Sequence, residues 1–366
     1  MNIVIIRTNV SDFGKIGTYN VQEIGLANSL KELGHKVDVI YLYKKVNKIE
    51  LDSTYNFVWH LPNRHFGLHG IFDLTLLEQF EPNKIILFSD NQLYSRNIIF
   101  WAKKRKIKCI VYWGAVLSTT PKIINKIYTY IIYIRNRRSY KYSLNVAKTS
   151  TVAKEMKKLK IVCNNVINIG LDNKLLREFS ADLNSTRDKL KINKNDKLIL
   201  FIGRLEEAKK PLFAIDLILN LVKKDSSFKL LMIGKGSLLE KVQQKIIDST
   251  ISNNVILIDS IKNYEIHKYI MISNCFINLS SIEIFGMAML EAMYYGIPVI
   301  AKDAPGPREF IINNSTGFIL NNYDINDWIN CILLVMSDTK TIVRNARKLV
   351  TDKFTWNNNA ILFDKL

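Results

Sequence analysis

The sequence predicts an α/β protein of two domains, each a parallel sheet with helices on its faces. Three observations carry this. Short apolar runs bounded by polar turns alternate with stretches of helical period along most of the chain. The rhythm lapses over a polar stretch, residues 173–196, and restarts at 198. The length, 366 residues, suffices for two cores of ordinary size.

Residues 2–6 read as a buried strand, followed by a loop, Ser11-Asp12-Phe13-Gly14-Lys15-Ile16-Gly17. A helix is expected over about 19–33, with Val21, Ile24, Leu26, Ala27 and Leu30 inward and Gly34 stopping it. Further strands are expected at 37–42, 57–59, 84–88, 108–112, 145–148 and 161–169. Ligands of such sheets lie at the carboxyl ends of the strands. That singles out Gly14 and Gly17, Asp90-Asn91-Gln92 and Tyr112-Trp113-Gly114. The Gly14/Gly17 loop is not a full dinucleotide fingerprint, and by itself it fits a plain turn as well as a phosphate or acceptor contact.

The second half restarts with a strand at 198–202 that ends in Gly203-Arg204. Glu206-Glu207-Ala208-Lys209-Lys210-Pro211 follows, and Pro211 suits the first turn of a helix. A strand at 229–233 runs into Gly234-Lys235-Gly236, and strands at 255–258 and 276–279 come next. Then a turn carries Glu283, a helix opens at about Phe285 and carries Glu291, and Gly296-Ile297-Pro298 ends it before a strand at 299–301. A last strand at 317–320 and helices from about 325 and 339 complete this half. The boundaries expected are 1–172, a link at 173–196, 197–350, and a terminal helix over 351–366.

The chemistry converges on the second half. A helix N-terminus is an anion site, because its first backbone N–H groups have no partner within the helix. Glu291 on that helix can accept from two hydroxyls of a ribose. Arg204 and Lys209 or Lys210 lie just past a strand end of the same sheet, and two cations there can neutralise a departing diphosphate without a metal. The spacing does not separate Lys209 from Lys210.

Composition sets outer bounds. Lys and Arg number 52 against 33 acids, net +19, a balance that favours polyanions or an anionic membrane face. No zinc-finger or RNA-binding signature accompanies it, so nucleic acid is not the expected partner. Cys109, Cys163, Cys275 and Cys331 are scattered in apolar surroundings, the usage of a reducing compartment. The amino terminus lacks a signal-peptide pattern and no apolar run reaches spanning length, so a cytoplasmic protein is expected. Residues 121–142 place Ile124, Ile127, Tyr128, Ile131 and Ile134 at helical spacing. Lys122, Lys126, Arg135, Arg137, Arg138 and Lys141 lie among them, with Tyr130, Tyr133, Tyr140 and Tyr142. Such a segment is either a membrane-surface helix on the inner face of the plasma membrane or a helix packed on the sheet with a solvated basic side. His60, His65 and His69 are close in sequence, but Pro62 and Gly67 break any helix between them, and loop residues at the acceptor side are expected rather than a metal site.

Glu283-Ile284-Phe285-Gly286-Met287, Glu291-Ala292-Met293 and Gly296-Ile297-Pro298-Val299-Ile300, taken together, resemble the donor-sugar motif of the GT4 family of retaining glycosyltransferases. Gly203-Arg204 through Lys210-Pro211 resembles that family's diphosphate segment, and Ile233-Gly234-Lys235-Gly236 its loop beside the nucleotide. The resemblance implies the GT-B fold, two Rossmann-like domains with parallel sheets facing an interdomain cleft, with the last helix returning to the first domain. It implies that Glu283 meets the donor sugar and that backbone groups of Phe285, Gly286 and Met287 lie near sugar and phosphate. Arg204 and a following Lys, placed at 209 with 210 as substitute, would hold the diphosphate, and Glu291 the ribose. Gly14 and Gly17 would be its glycine loop, without the usual adjacent glycine pair. Trp113 stands where many relatives carry a His that touches the sugar. Asp303 to Glu309 resembles a loop of members acting on polysaccharide precursors, in which Glu309 holds a sugar hydroxyl or caps the next helix. The implied reaction moves a hexose or N-acetylhexosamine from a UDP- or GDP-sugar to a lipid-linked glycan or polysaccharide precursor, with retention and with no cofactor or metal. The alternatives are an epimerase or phosphorylase on the same fold, or a non-catalytic polyanion-binding protein.

Overall fold

Between their polar ends, runs such as Asn2–Arg7 and Lys84–Ser89 are continuously apolar and rich in isoleucine, the composition of strands covered on both faces. A computed structural model describes residues 1–10, 21–43, 46–89, 91–118, 123–172, 176, 183–337 and 339–366. Its contacts divide the chain into two units, Met1–Asp172 with Thr355–Leu366, and Asn173–Phe354.

Unit 1 opens with β1 (Asn2–Arg7), α1 (Gln22–Glu32) and β2 (Lys36–Tyr41). Short strands β3 (Glu50–Leu51), β4 (Val58–His60), β5 (Arg64–Phe66) and β6 (His69–Ile71) follow. Next come β7 (Lys84–Ser89), α2 (Ser95–Lys104), β8 (Lys108–Trp113), α3 (Ile123–Asn136), β9 (Leu144–Ala147), α4 (Ser150–Lys158) and β10 (Asn165–Val166). The sheet has the order β10-β9-β8-β7-β1-β2-β4-β3, parallel except for the β3–β4 pair, and β5–β6 form a separate hairpin. From β1 the chain moves outward through β2, and from β7 it moves outward the other way, so the order reverses between β1 and β7.

In unit 2, α5 (Leu183–Lys189) precedes β11 (Lys197–Ile202), α6 (Pro211–Lys224), β12 (Phe228–Ile233), α7 (Leu239–Asp248) and β13 (Val255–Ile258). Then α8 (Ile266–Met271), β14 (Cys275–Asn278), α9 (Met287–Tyr294), β15 (Val299–Lys302), α10 (Pro307–Phe310) and β16 (Phe318–Leu320) follow. Helices α11 (Ile325–Ser337) and α12 (Lys340–Lys353) close it. The sheet order is β13-β12-β11-β14-β15-β16, all parallel, and the reversal falls between β11 and β14.

Three boundaries differ from those the sequence predicts. The polar stretch 173–196 is not simply a link, since α5 lies within it. Arg187 ties that helix to unit 2 by donating to the carbonyls of Ile272 (2.8 Å), Asn193 (2.7 Å) and Asp196 (3.1 Å). A helix docked through one guanidinium and the buried Ile192 has no apolar stripe to read. The strand expected over 161–169 shrinks to β10, because Asn165 and Val166 alone pair with β9. The terminal helix expected over 351–366 is two helices. α12 runs to Lys353 within unit 2, and α13 (Trp356–Lys365) starts anew after Thr355, whose hydroxyl accepts from Asn358 N–H (3.4 Å).

α13 belongs to unit 1. The Lys84 ammonium donates to the Phe363 (3.0 Å) and Asp364 (3.1 Å) carbonyls, the Phe363 ring meets Tyr112 edge-on at 5.0 Å, and Trp356 is fully buried against α1. Gly25 lets the two helices approach, since a Cβ there would sit 2.2 Å from Trp356 Cδ1. In an open helix Gly→Ala gains up to about 1 kcal/mol, whereas overpacking costs about 1–3 kcal/mol. Gly25→Ala is therefore expected to lower Tm by a few degrees in calorimetry of the full chain. An unchanged or raised Tm would remove this packing role.

Candidate functional site

The ends of β11 and β14 build the site. Leaving β11, Gly203 N–H donates to the Ile233 carbonyl (3.0 Å), and Leu205 N–H donates to that of Lys235 (3.0 Å). Leu238 N–H donates to the Leu205 carbonyl (2.8 Å), so the loops after β11 and β12 are laced together by backbone alone. Gly234 permits this. Its φ is +153°, and a Cβ there would lie 1.9 Å from the Gly203 carbonyl oxygen. The laced loop holds the one-turn segment Glu207–Lys209 beside the turn that follows β14.

On the β14 side, Glu283 is anchored through its carbonyl, which accepts from Gly306 N–H (2.8 Å). Gly286, at φ +96°, turns the chain into α9. The Lys209 ammonium then donates to Glu283 Oε2 at 2.5 Å, with only 24% and 18% of the two side chains exposed. Asn278, the last residue of β14, places its amide nitrogen 3.4 Å from the same oxygen. Glu291 sits half-buried one turn into α9.

The remaining predicted residues divide. Lys210 adopts φ +53° as the cap of α6 and its ammonium donates to Glu207 at 2.6 Å, which raises the amine and lowers the carboxyl from their ordinary values. Geometry thus separates the neighbouring lysines, with Lys209 turned to Glu283 and Lys210 to Glu207. Arg204 is 64% exposed and pairs with Glu206 at 3.1 Å. Phe285 and Met287 are buried, Phe285 packing on Phe310 and Phe354, so they can offer a ligand backbone rather than side chains. Glu309 is half-buried within α10. Beside it Arg308 forks onto Asp303 at 2.6 and 2.5 Å and holds that carboxyl below the usual carboxylate range.

Trp113 is corrected. It is fully buried in the unit 1 core, its indole N–H donating to Asn145 Oδ1 (3.3 Å) and its ring packed on Tyr140 at 4.8 Å. A large apolar ring at the end of β8 turns into the core rather than toward a ligand. Gly14 and Gly17 lie outside the described residues, as does Asp90. The three histidines do not converge. His60 pairs with Asp52 (3.1 Å), His69 Nδ1 lies 2.8 Å from Gln92 Oε1, and His65 is exposed on the β5–β6 hairpin.

Sequence reasoning missed Asn278, Ser280 and Tyr323. Ser280 is fully buried with its hydroxyl unpartnered among the described residues, and the Tyr323 hydroxyl donates to the Leu279 carbonyl (2.8 Å). For Asn278 and Ser280 the signal was available, since both stand at the carboxyl end of a central strand.

The isoleucine stripe of α3 does not pack on the sheet. Ile123, Ile124, Ile127, Tyr128, Ile131 and Ile134 are exposed, Ile124 by 72% and Ile131 by 60%. The helix packs instead through Ile132, Tyr133 and Asn136. Tyr133 and Tyr140 are buried, donating to the Leu159 carbonyl (2.5 Å) and to Asn91 Oδ1 (2.9 Å), and are not surface aromatics.

Two parallel sheets of this topology, each with helices on its faces, define a protein of GT-B fold. Residues 183–349 match the family model of glycosyl transferases group 1, a match that lies within the second unit and spans under half of the chain. It is similar to a poly(ribitol-phosphate) α-N-acetylglucosaminyltransferase of Staphylococcus aureus, 29% identical over 166 residues, or 44% of this chain and 33% of the relative. The chain thus matches about a third of that protein's length. An uncharacterized glycosyltransferase of Methanocaldococcus jannaschii is 24% identical over 92% of this chain and 90% of its own. Among solved structures, Anabaena Alr3699/HepE in complex with UDP superposes with a TM-score of 0.76 at 17% identity, covering 100% of this chain and 99% of that one, a likeness of fold.

The lacing of the two loops makes a testable demand. Gly234→Ala combines a strained φ with a clash against backbone, about 2–4 kcal/mol together. Circular-dichroism melting should show unit 2 losing several degrees in Tm, and a wild-type melt would contradict the close approach.

Proposed function

We propose that the protein transfers a hexose or N-acetylhexosamine from a UDP- or GDP-sugar to a lipid-linked glycan or polysaccharide precursor, with retention of configuration and without a metal. The observation that carries this reading is the Lys209–Glu283 pair beside the N-terminus of α9, with Glu291 one turn further on. Glu283 serves the sugar hydroxyls, the backbone at 285–287 faces sugar and phosphate, and Glu291 accepts from the ribose diol. Lys209 and Arg204 stabilise the negative charge that grows on the departing diphosphate. Arg204 is available because its exposed pair with Glu206 is worth at most about 1 kcal/mol and yields readily to a diphosphate. In a retaining transfer on one face, the leaving phosphate oxygen takes the acceptor proton, so no enzymic base is needed. Relatedness to an enzyme named for poly(ribitol-phosphate) supports a polymeric or lipid-linked acceptor.

The exposed apolar face of α3 supports action at an anionic membrane surface. No helix among the described residues is long and apolar enough to cross a membrane. Yet α3 presents isoleucines outward, with Lys126, Arg135, Arg137, Arg138 and Lys141 exposed on or just after it. In this reading the apolar side chains enter the acyl boundary, and each basic group near the headgroups adds about 1 kcal/mol.

Two experiments test the reading. With a panel of nucleotide-sugars and detergent-solubilised glycolipid acceptors, Lys209→Ala should lower kcat by about 10²–10³, and Glu291→Ala should weaken UDP or GDP in calorimetric titration. Full activity in Glu291→Ala, or no binding of any donor, sinks the proposal. In sedimentation with phosphatidylglycerol vesicles, Ile124→Glu with Ile131→Glu should cut the bound fraction at least fivefold while leaving nucleotide affinity unchanged. Equal sedimentation of variant and wild type would dismiss the membrane role of α3.

A further inference from the structure

β10 is an edge strand of the unit 1 sheet, and a groove of 740 Å³ lies between it and α4. Ala153, Val162 and Val166 supply apolar lining, the two valines 72% and 44% exposed. Lys154, Lys157 and Lys160 line the same groove, all exposed and none ion-paired among the described residues. Lys154 and Lys157 stand three residues apart on one side of α4. Lys160 follows at its end in left-handed backbone, φ +54°. The single acid of α4, Glu155, is engaged elsewhere, accepting from the N–H groups of Val116 (3.2 Å) and Leu117 (3.1 Å). The groove is thus apolar within and positive along its rim. Residues 160–164 precede β10, so it reaches the amino end of that strand, away from the strand ends that face the sugar chemistry.

Exposed apolar lining of this extent calls for a cover, and lysine stems can extend it while their heads stay in water. A protein strand fits poorly. β10 is two residues long, and its Asn165 carbonyl already accepts from the Cys163 thiol (3.3 Å). Short edges flanked by lysine resist strand addition. A second copy would bring three more lysines and a net +19 to the same contact. A lipid needs no backbone pairing, since its acyl chain covers the valines and its phosphate meets the ammonium row. The groove also adjoins α3. The ring of Tyr130, 47% exposed, lies 5.7 Å from that of Tyr133, whose hydroxyl donates to the Leu159 carbonyl beside Lys160.

We propose that the α4–β10 groove binds one anionic phospholipid, with an acyl chain over Val162 and Val166 and its phosphate at Lys154, Lys157 and Lys160. The nearness of α3 bears on the membrane reading above. The site stands without that reading and without the glycosyl-transfer reading.

The test is titration calorimetry of the full chain with dihexanoyl-phosphatidylglycerol, kept monomeric below its micellar concentration. Dihexanoyl-phosphatidylcholine offers the same chains without net charge, and glycerol phosphate offers the anion without chains. The phosphatidylglycerol should bind about fivefold or more tightly than either control, the effect of one basic group near a headgroup. Its affinity should fall by about the same factor or more in Val162→Glu and in Lys157→Ala with Lys160→Ala. All three positions are exposed, so the core is left intact. Ile124→Glu with Ile131→Glu should leave the affinity unchanged, which separates this groove from α3. No binding of the lipid, equal binding of glycerol phosphate, or loss only in the α3 variant would each overturn the proposal. Two other occupants would overturn it as well: a dimer in sedimentation that Val162→Glu dissolves, or tighter binding of an alternating Glu-Leu peptide.

Discussion

The contact between Lys209 and Glu283 is the constraint on which the site in unit 2 depends. Its partners come from loops on adjacent strands, β11 and β14, whose axes lie about 4.8 Å apart. Only at this gap does the chain leave in opposite directions on either side, so only here do two loops diverge and leave room between them. The ammonium is held by a carboxylate in a partly dehydrated place, where screening is weak. A ligand that brings both hydroxyls and negative charge can divide the pair between its sugar and its diphosphate. The backbone lacing through Gly234 keeps the lysine at that height above the sheet.

Much of this was readable in the chain because unit 2 encodes its site locally. Gly203-Arg204, Gly234 and the run from Glu283 to Glu291 each follow an unbroken apolar strand, and a strand followed by glycine or an acid is a short-range pattern. What could not be read was rotational. Lys209 and Lys210 are one residue apart, and their separation rests on Lys210 taking φ +53°, a backbone choice that composition does not announce. Trp113 failed for the same kind of reason. Its position at the end of β8 was right, but the direction of its side chain depends on Tyr140 and Asn145, well along the chain.

α3 shows a different limit. Its isoleucines have helical spacing, and such spacing ordinarily marks the buried face. In the structure that stripe is outward, and the helix is held by Tyr133, Asn136 and Arg135, whose hydrogen bonds to Leu159, Gln92 and Leu93 anchor it through polar groups. Periodicity finds an amphipathic helix but does not say which medium its apolar side meets. A contiguous exposed apolar stripe calls for a partner, and the surrounding positive charge makes an anionic interface a better match than a second apolar protein face.

Unit 1 repeats the topological logic of unit 2 with residues that carry no motif. Arg7, Glu23, Gln92 and Lys148 come from four separate segments and meet only because β1, β7 and β9 end at one edge of a parallel sheet while α1 starts there. No short pattern contains them. Their chemistry also differs from that of unit 2 in a way the sheet does not dictate. Unit 2 sets a lysine–glutamate pair before a helix N-terminus, whereas unit 1 buries a carboxylate against its arginine and holds an amide oxygen that has no partner among the described residues. A fold that supplies equivalent crevices thus leaves the choice of ligand to a few side chains.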